Sequence, residues 1–318
     1  MAAQPFLRYR ADLRTMAFLC IYAGLVVGQW VTAPTGPLAV LLVVFTCLFS
    51  WLAAVTAHNV VHSPVFMRRW ANRIFQVWVT LSYGFPISEY VPGHNLSHHR
   101  FMQERQDVMR TTKVRFRWNF LNAVFFFFSV APGVTLGNYH YRKLMKERLP
   151  RWNQQLNIEI ALVWGIKFIT LALDWEKSLL YVWLPHLFAV WGITSVNFVQ
   201  HDGCDQDHDV NHSRNFVGKF FNWVTFNNGF HGMHHIEPGL HWSLLPEAHA
   251  KRLHPTIHPA LEQKSLAIYL FKTFIYPGQR LRYDGKPVVL PPNEGDLDWA
   301  VRMDSVPPEQ LGAAGTNA

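Results

Sequence analysis

Cysteine and charged residues are both scarce in this chain of 318 residues, and each shortage excludes a class of protein. Only three cysteines occur, Cys20, Cys47 and Cys204, and no CxxC pair is present. Neither a disulfide framework nor a thiolate cluster is therefore expected, and a reducing, cytosol-facing site is predicted. Charged residues make up 16% of the chain, against roughly a quarter in an ordinary soluble domain. Because half of the residues are apolar, the composition predicts an integral membrane protein.

Sequence motifs for a bound redox cofactor are also missing. The chain has no glycine-rich dinucleotide fingerprint, no haem motif and no cysteine cluster, so the electrons for any redox reaction must come from a separate protein. The net charge of +8 would suit a nucleic-acid partner, but the lysines and arginines lie beside apolar segments rather than in one patch. The positive-inside rule explains that distribution, and no nucleic-acid partner is expected.

Long apolar segments predict an all-α integral membrane protein with four transmembrane helices in two hairpins. Each predicted helix is long enough to cross a hydrocarbon core of about 30 Å. The tight turn Pro34-Thr-Gly-Pro37 joins the first pair. Arginines before an apolar stretch resemble a signal peptide, but a second apolar span follows almost immediately, so an uncleaved anchor is predicted. The predicted spans are 16–34, 37–57, 156–174 and 178–200.

The polar segments 58–117 and 201–286 are predicted to form a cytosolic, histidine-rich helical cap. The first of them contains nine lysines and arginines, which places it on the cytosolic side. Basic residues flank the apolar segment 118–138 at both ends, and a crossing there would separate the histidine groups onto opposite faces. We therefore expect a re-entrant or interfacial segment, interrupted at Pro132-Gly133.

Residues 1–286 are thus predicted to form a single membrane domain, with the active site and both termini on the cytosolic side. The short apolar stretch 265–277 is expected to lie in the membrane interface. Residues 287–318 contain five prolines and are predicted to be an extended or disordered tail.

Eight of the histidines fall into three groups with helical spacing: His58-x-x-x-His62, His94-x-x-x-His98-His99 and His231-x-x-His234-His235. Residues three or four apart on a helix share a face, and imidazole is a common ligand of iron, zinc and copper. Eight imidazoles exceed what one tetrahedral zinc ion uses, and a zinc hydrolase needs three ligands and a general base. Two irons for oxygen-dependent C–H cleavage fit the ligand set better.

These groups resemble the histidine boxes of the membrane fatty acid desaturase and hydroxylase superfamily, over about residues 40–260. His231-Gly-Met-His234-His235, followed by Pro238 and by Trp242-Ser-Leu-Leu-Pro246, is similar to the third box of desaturases. The resemblance implies two iron ions, dioxygen as co-substrate and a ninth ligand in Asn197-Phe-Val-Gln-His201, whose asparagine would reach the second iron through water. The implied metal ligands are His58, His62, His94, His98, His99, His201, His231, His234 and His235.

The second box departs from the desaturase pattern, because three residues rather than two separate His94 from His98-His99. That spacing, like Asn211-His212-Ser213, resembles membrane alkane hydroxylases. The primary prediction is a fatty acid desaturase that introduces a double bond into an acyl chain, and the alternative is hydroxylation or another oxidation of a lipid or alkyl chain. A non-enzymatic membrane metal carrier or sensor is the alternative of another class. The position of the ligands at span ends, rather than within the spans, argues against transport.

Acidic residues near the ligands are candidates to accept hydrogen bonds from imidazole N–H groups, although an acid in a cytosolic loop is more often only solvated. These candidates are Asp107, Asp202, Asp209 and Glu237, and His212 and His241 are candidate extra ligands or supporting residues. The expected partners are a lipid or acyl substrate from the membrane and an external electron donor, namely a ferredoxin, a rubredoxin or a small cytochrome. Basic residues of the cap either bind an anionic head group or only obey the positive-inside rule.

Overall fold

The computed structural model describes residues 6–300, and the chain is mostly helical over that range. The α-helices are α1 Asp12–Thr32, α2 Gly36–Val60, α3 Arg69–Tyr83, α4 Ile87–Val91, α5 His99–Phe101, α6 Asn119–Met145, α7 Pro150–Leu173, α8 Trp175–Ser178, α9 Leu184–His201, α10 Lys219–Val224, α11 His231–Ile236, α12 Leu245–Ala248 and α13 Leu266–Leu270. Short π-helices are Pro92–His98, Leu179–Trp183, His249–Leu253 and Phe271–Ile275, and the strands are β1 Asn215–Phe216 and β2 Glu262–Gln263. Short 3-10 helices are Thr111–Lys113, Trp242–Leu244 and Pro259–Leu261.

Five helices in the described part of the chain are long and apolar enough to cross a membrane: α1, α2, α6, α7 and the continuous helical run Trp175–His201. Four of them overlap the predicted spans. The fifth, α6, overlaps the predicted re-entrant or interfacial segment and continues through Pro132 without a break. The predicted interruption at Pro132-Gly133 was wrong, because a proline within an apolar helix removes only one amide donor and the rest of the helical ladder persists. The four-span arrangement stays a prediction.

The described residues divide into two compact units, the first made of 6–91 and 142–193 and the second of 92–141 and 194–300. In the first unit, α1 and α2 form a hairpin whose turn begins at Ala33, which takes a left-handed conformation with φ 44°. Gln29 of α1 donates to the Thr46 hydroxyl of α2 at 2.6 Å, so the hairpin is joined by a polar contact as well as by apolar packing.

Two charged side chains of α7 are buried within the first unit. Glu159 accepts hydrogen bonds from the backbone N–H and the hydroxyl of Ser88, at 2.8 and 3.0 Å. Lys167 donates to the Gly84 carbonyl at 2.8 Å and lies over the rings of Phe85, Trp164 and Trp183. Lys167 therefore faces the helix bundle, as charged residues within an apolar helix generally do.

The second unit packs α6 against the carboxyl half of α9 and against the short elements that follow. Its core is apolar and largely aromatic, because phenylalanines from all three segments meet there. The buried residues of this core are Val114, Phe126, Val130, Phe198, Val199, Phe216 and Phe274. Strands β1 and β2 pair in parallel beside it, with Asn215 opposite Glu262.

Two short helical segments of the second unit carry exposed apolar side chains. Phe220 and Trp223 of α10 are 81% and 55% exposed, and Phe271, in the π-helix that continues α13, is 55% exposed. Amphipathic segments of this kind bury such side chains in a lipid interface. The prediction that residues 265–277 lie in the membrane interface is compatible with this exposure.

A polar, largely irregular segment of the second unit runs from Gly278 to Ala300 and touches both ends of α6 within that unit. The Gly278 carbonyl accepts a hydrogen bond from the Asn119 amide at 3.0 Å, at the first residue of α6. Near the other end, Trp299 stacks on Tyr141 with ring centroids 5.8 Å apart. The tail residues up to 300 are thus extended and packed against the unit, and the rest of the predicted tail lies outside the described residues.

Candidate metal centre

The second histidine group lies on the π-helix Pro92–His98 and on the start of α5. A π-helix has i→i+5 hydrogen bonds and admits about one residue more per turn than an α-helix. His94 can therefore share a face with His98 and His99 although three residues, not two, lie between them. The local backbone accommodates the extra residue that separates this box from the usual desaturase spacing.

The third group lies on α11, a helix of six residues, and the ninth predicted ligand, His201, is the last residue of α9. Gly232 within α11 is closely packed, since a Cβ atom there would lie 2.9 Å from the Leu253 side chain and 3.1 Å from that of Asn215. The Asn215 side chain also accepts a hydrogen bond from the Gly232 amide at 2.9 Å. The glycine in the box thus lets α11 approach β1, which fixes the direction of the histidines on either side.

Four buried or half-buried imidazoles of the second unit converge on one point, and we call them the His201 group: His98, His201, His231 and His235. Each offers one ring nitrogen, and these four nitrogens all lie within 4.8 Å of one another. The Nε2 atoms of His201, His231 and His235 form a triangle with sides of 2.9 to 3.1 Å.

Three further imidazoles of the second unit form the His94 group: His94, His99 and His234. The Nε2 atom of His99 lies 3.1 Å from that of His94 and 3.1 Å from that of His234. The two groups are neighbours, because the rings of His99 and His235 stack with centroids 4.2 Å apart. All seven predicted ligands that belong to the second unit therefore lie in two adjacent sets.

The nitrogen separations fit metal coordination. Metal–nitrogen bonds of about 2.1 Å at right angles place two ligand nitrogens about 3.0 Å apart, which is the separation observed in both groups. Neutral imidazoles that donate at Nδ1 turn a lone pair inward at Nε2, and several lone pairs so close together repel unless a cation lies between them. Nitrogen-only ligands suit iron, copper, nickel and zinc better than calcium or magnesium.

His98 has the hydrogen-bond pattern expected of a metal ligand. Its Nδ1 atom donates to the Asp107 carboxylate at 2.9 Å, so its Nε2 atom carries the lone pair. Both side chains are 0% exposed, and Nε2 has no hydrogen-bond partner among the described residues. A carboxylate behind the imidazole fixes the tautomer and the ring orientation of metal-binding histidines. Asp107 is thus the candidate acid that the structure places in contact with a predicted ligand.

His201 is oriented by a backbone acceptor instead. Its Nδ1 atom donates to the His212 carbonyl at 3.2 Å, which leaves the Nε2 lone pair directed at the group. Burial, followed by the neighbouring imidazoles, lowers the pKa of His235 well below its ordinary value, so this ring is neutral and able to bind a metal. Burial also lowers the pKa of His212 to about 4. The His212 ring contacts the Ser213 hydroxyl at 2.7 Å and is 5.7 Å from the His235 ring.

The other supporting residues predicted from the sequence contact different partners. Asp202 accepts hydrogen bonds from Arg280, with Oδ1 at 2.5 Å from Nη2 in a buried pair. Glu237 pairs with Arg252 on the surface. Asn197 lies one turn before His201 and donates to the Met109 carbonyl at 3.4 Å. His241 caps the 3-10 helix Trp242–Leu244 through its Nδ1 atom and is not in either histidine group.

Sequence reasoning missed Arg280, which joins three segments of the second unit. Besides Asp202, its guanidinium donates to the carbonyls of Val114 and Thr111, at 2.6 and 2.9 Å. It thereby ties the residue after the predicted ligand His201 to the loop that follows the second box. No local pattern marks this arginine, because the hydrogen-bond partners of its guanidinium described above are remote in sequence.

The first histidine group belongs to the first unit. His58 lies in the last turn of α2, and His62 follows that helix, with their ring centroids 5.6 Å apart. The two rings are about one helical turn apart and next to each other, as the HxxxH spacing predicts. Their assignment as metal ligands stays a prediction.

A third set of possible ligands in the second unit, His249, His254 and Glu262, has a different geometry. The Glu262 carboxylate lies 2.6 Å from His249 Nε2 and 2.7 Å from His254 Nδ1. These separations are those of charge-assisted hydrogen bonds and are shorter than the edge of a metal coordination sphere. Glu262 therefore fastens the π-helix His249–Leu253 to β2 as a hydrogen-bonded triad.

Helices suited to membrane crossing and two buried sets of imidazoles define a multi-pass membrane protein with histidine clusters that can bind metal ions. Comparison with known families agrees with this class. The family model described as fatty acid desaturase matches residues 7–263, which is most of the chain. The chain therefore belongs to the fatty acid desaturase family.

A curated relative is named a sphingolipid delta(4)-desaturase, from Komagataella phaffii. The two sequences are 27% identical over 204 residues, which cover 59% of this chain and 54% of the relative. The chain thus spans about half the length of the curated relative that it matches.

Proposed function

We propose that the protein is an oxygen-dependent membrane oxidoreductase that introduces a double bond into a fatty acyl chain of a lipid. The observation that carries this proposal is the convergence of seven imidazoles at coordination distances, in a chain of the fatty acid desaturase family. Two iron ions held by the histidines would activate dioxygen, so that one hydrogen leaves each of two adjacent methylenes, and these two hydrogens combine with dioxygen, two electrons and two protons to form two waters.

The side chains of the second unit have distinct roles in this proposal. The His201 group and the His94 group supply neutral nitrogen ligands, and His58 and His62 are proposed to complete the set. Asp107 holds the His98 ring, and the His212 carbonyl holds the His201 ring, so that both direct Nε2 at the metal position. Asn197 remains the proposed water-mediated contact.

The proposed topology has four spans, with α6 on the cytosolic side. The second and third boxes meet within the second unit, so an even number of the three intervening helices crosses the membrane. The segment from Gly278 to Trp299 touches both ends of α6 and carries seven charged residues, which the hydrocarbon core does not tolerate in an extended chain. Both observations support α6 as the helix that does not cross.

The substrate is proposed to be a lipid-linked acyl chain that enters from the membrane. A relative named as a sphingolipid desaturase supports this choice. The extra residue in the second box does not by itself favour hydroxylation, since the π-helix absorbs it. Because the chain lacks a motif for a redox cofactor, a ferredoxin, a rubredoxin or a small cytochrome is proposed to supply the electrons at the cytosolic cap.

The test is mass-spectrometric profiling of lipids from cells that express this chain together with each candidate donor. We expect a new acyl species lighter by two hydrogens, and we expect it to disappear in His231→Ala inserted at the same level. His208→Ala changes an exposed histidine outside both groups and should retain the product. A species heavier by one oxygen would replace desaturation by hydroxylation. The metal carrier would be favoured by two results together. The protein would contain iron but form no oxidised lipid, and the cells would take up iron independently of oxygen.

A further inference from the structure

The last described residues of the chain form a contact that the proposed reaction does not use. Residues 291–300, named here the strap, lie extended against the loop 103–115, which follows the second histidine box. The Leu297 amide donates to the Arg105 carbonyl at 3.0 Å, and Arg115 donates to the Pro291 carbonyl at 2.6 Å. The strap is thus hydrogen-bonded to both ends of the loop.

Ion pairs reinforce this backbone contact. Asp296 bridges Arg110 and Lys113, with the Lys113 ammonium at 2.8 Å, and Glu294 pairs with Arg105 at 2.6 Å. The side chains of Arg110 and Lys113 are only 8% and 9% exposed, so Asp296 neutralises two largely buried cations. Burial lowers the pKa of the Lys113 ammonium, while the Asp296 carboxylate raises it. Pairs that are buried to this extent are costly to break from one side.

The far end of the strap is anchored on α6. Trp299 is 1% exposed and packs on Gly137, where a Cβ atom would lie 2.6 Å from the indole nitrogen. Gly133, one turn earlier on the same face, lies against Asp296, and a Cβ atom there would be 2.5 Å from its carboxylate. The two glycines and Tyr141 form a stripe at i, i+4 and i+8 that receives the strap.

The loop beneath the strap contains Asp107, the residue that orients His98. Asp107 accepts hydrogen bonds from the amides of Gln103 and Met109, at 2.8 and 2.7 Å, in addition to the His98 ring. Lys113 also donates to the Val108 carbonyl at 2.9 Å, so the residue held by Asp296 directly supports the backbone next to Asp107. The loop, the strap and the ligand His98 are therefore linked by consecutive contacts.

We propose that the strap holds the loop 103–115 in the conformation in which Asp107 orients His98, with Asp296 as the positioning residue. Without the Asp296 carboxylate, two buried cations would repel each other and would also repel metal ions at the neighbouring histidines. The loop would relieve that repulsion by moving outward, and Asp107 would move with it. This inference rests on the proposed function only in requiring a metal ion at the histidines, and it does not depend on which reaction the protein catalyses.

The test measures cobalt(II) binding to the purified full-length protein, because the visible spectrum of cobalt(II) reports the number and geometry of its ligands. For Asp296→Asn we expect a dissociation constant about tenfold weaker, together with an altered cobalt spectrum, since the loss of supporting contacts weakens metal sites by about 10–100-fold. Asp296→Glu keeps the carboxylate and should restore most of the affinity. Trp299→Ala, which removes the other anchor, should act in the same direction as Asp296→Asn.

Asp284→Asn is the matched control, because Asp284 lies on the same terminal segment and pairs with Arg282 and Lys286 at the surface. Hydrogen exchange of residues 103–115 should increase in Asp296→Asn and stay unchanged in the control. Unchanged exchange of the loop and an unchanged cobalt spectrum in both Asp296→Asn and Trp299→Ala would overturn the inference. If the wild-type protein binds no cobalt or iron, the proposed metal centre fails, and the exchange of the loop still decides whether the strap holds it.

Discussion

The Asp107 carboxylate accepts three hydrogen bonds, and only one of them comes from a histidine. The other two come from backbone amides of its own loop, so the carboxylate both orients His98 and organises the turn that carries it. Ser97 adds a second link between box and loop, since its hydroxyl donates to the Gln106 carbonyl at 2.8 Å. The orientation of one predicted ligand, His98, thus depends on a short closed network of hydrogen bonds in the second unit.

We expect Asp107→Asn to weaken metal binding about 10–100-fold, because the neutral amide polarises the His98 ring less and cannot accept both amide hydrogen bonds. The measurement is chelator competition for iron in the purified protein. Asp207→Asn changes an exposed acid of the second unit and serves as the matched control. An unchanged iron affinity in Asp107→Asn would show that the carboxylate does not support a ligand.

The sequence predicted which histidines of the second unit lie together better than it predicted the residues that contact them. Histidines three or four apart on a helix share a face, so the local spacing predicts that His94 and His98 lie together, as do His231, His234 and His235. Asp107 could be named only as one of several nearby acids, since its contact with His98 depends on how the loop turns back. Arg280 could not be found at all, because its partners lie 78 or more residues away.

At the scale of elements, the π-helix Pro92–His98 and the helix α6 carry most of what the sequence did not predict. A π-helix differs from an α-helix only in its hydrogen-bond register, which apolar periodicity does not report. For α6, the flanking charges predicted a segment that does not cross the membrane, and this stays a prediction. The predicted break of the helix at Pro132 was wrong. The tail after residue 287 has no periodicity, so its composition predicted an extended chain but not the surface that it contacts.

The four-span topology predicts which connections face the cytosol. In a background without native cysteines, Arg148→Cys should react with a membrane-impermeant maleimide from the same side as Glu104→Cys, and Glu176→Cys from the opposite side. The reason is that, in the four-span topology, α6 does not cross the membrane, whereas α7 does. Labelling is scored in sealed vesicles of known orientation. Reaction of Arg148→Cys from the side of Glu176→Cys would mean that α6 spans the membrane.

At the scale of the whole molecule, we expect the buried imidazoles to make stability depend on a bound metal. Seven imidazoles whose ring nitrogens converge in two adjacent sets are unfavourable neighbours when no cation lies between them, so we expect metal binding and folding of the second unit to be coupled. A ligand that binds only the folded state, at a concentration of 100 times its dissociation constant, stabilises it by about 2.7 kcal/mol.

Chelation should therefore lower the thermal midpoint of the wild-type protein by roughly 5 °C. Chelation should also raise hydrogen exchange in α11 and in the π-helix Pro92–His98. Hydrogen exchange in α1, and in the part of α2 that precedes His58, should change little. The measurement is thermal unfolding of the same preparation before and after iron removal, with iron readdition as the control. A thermal midpoint that does not respond to iron would mean that the histidine groups do not bind a metal ion that stabilises the fold.

The exposed aromatic side chains of α10 and of the segment after α13 also have a practical consequence. They lie outside the five long apolar helices, so a detergent micelle that covers only those helices leaves Phe220, Trp223 and Phe271 in water. Unshielded aromatic surface promotes self-association and distorts the elements that carry it. A lipid nanodisc, which offers a flat interface around the spans, is the better medium in which to purify this protein with its histidine groups intact.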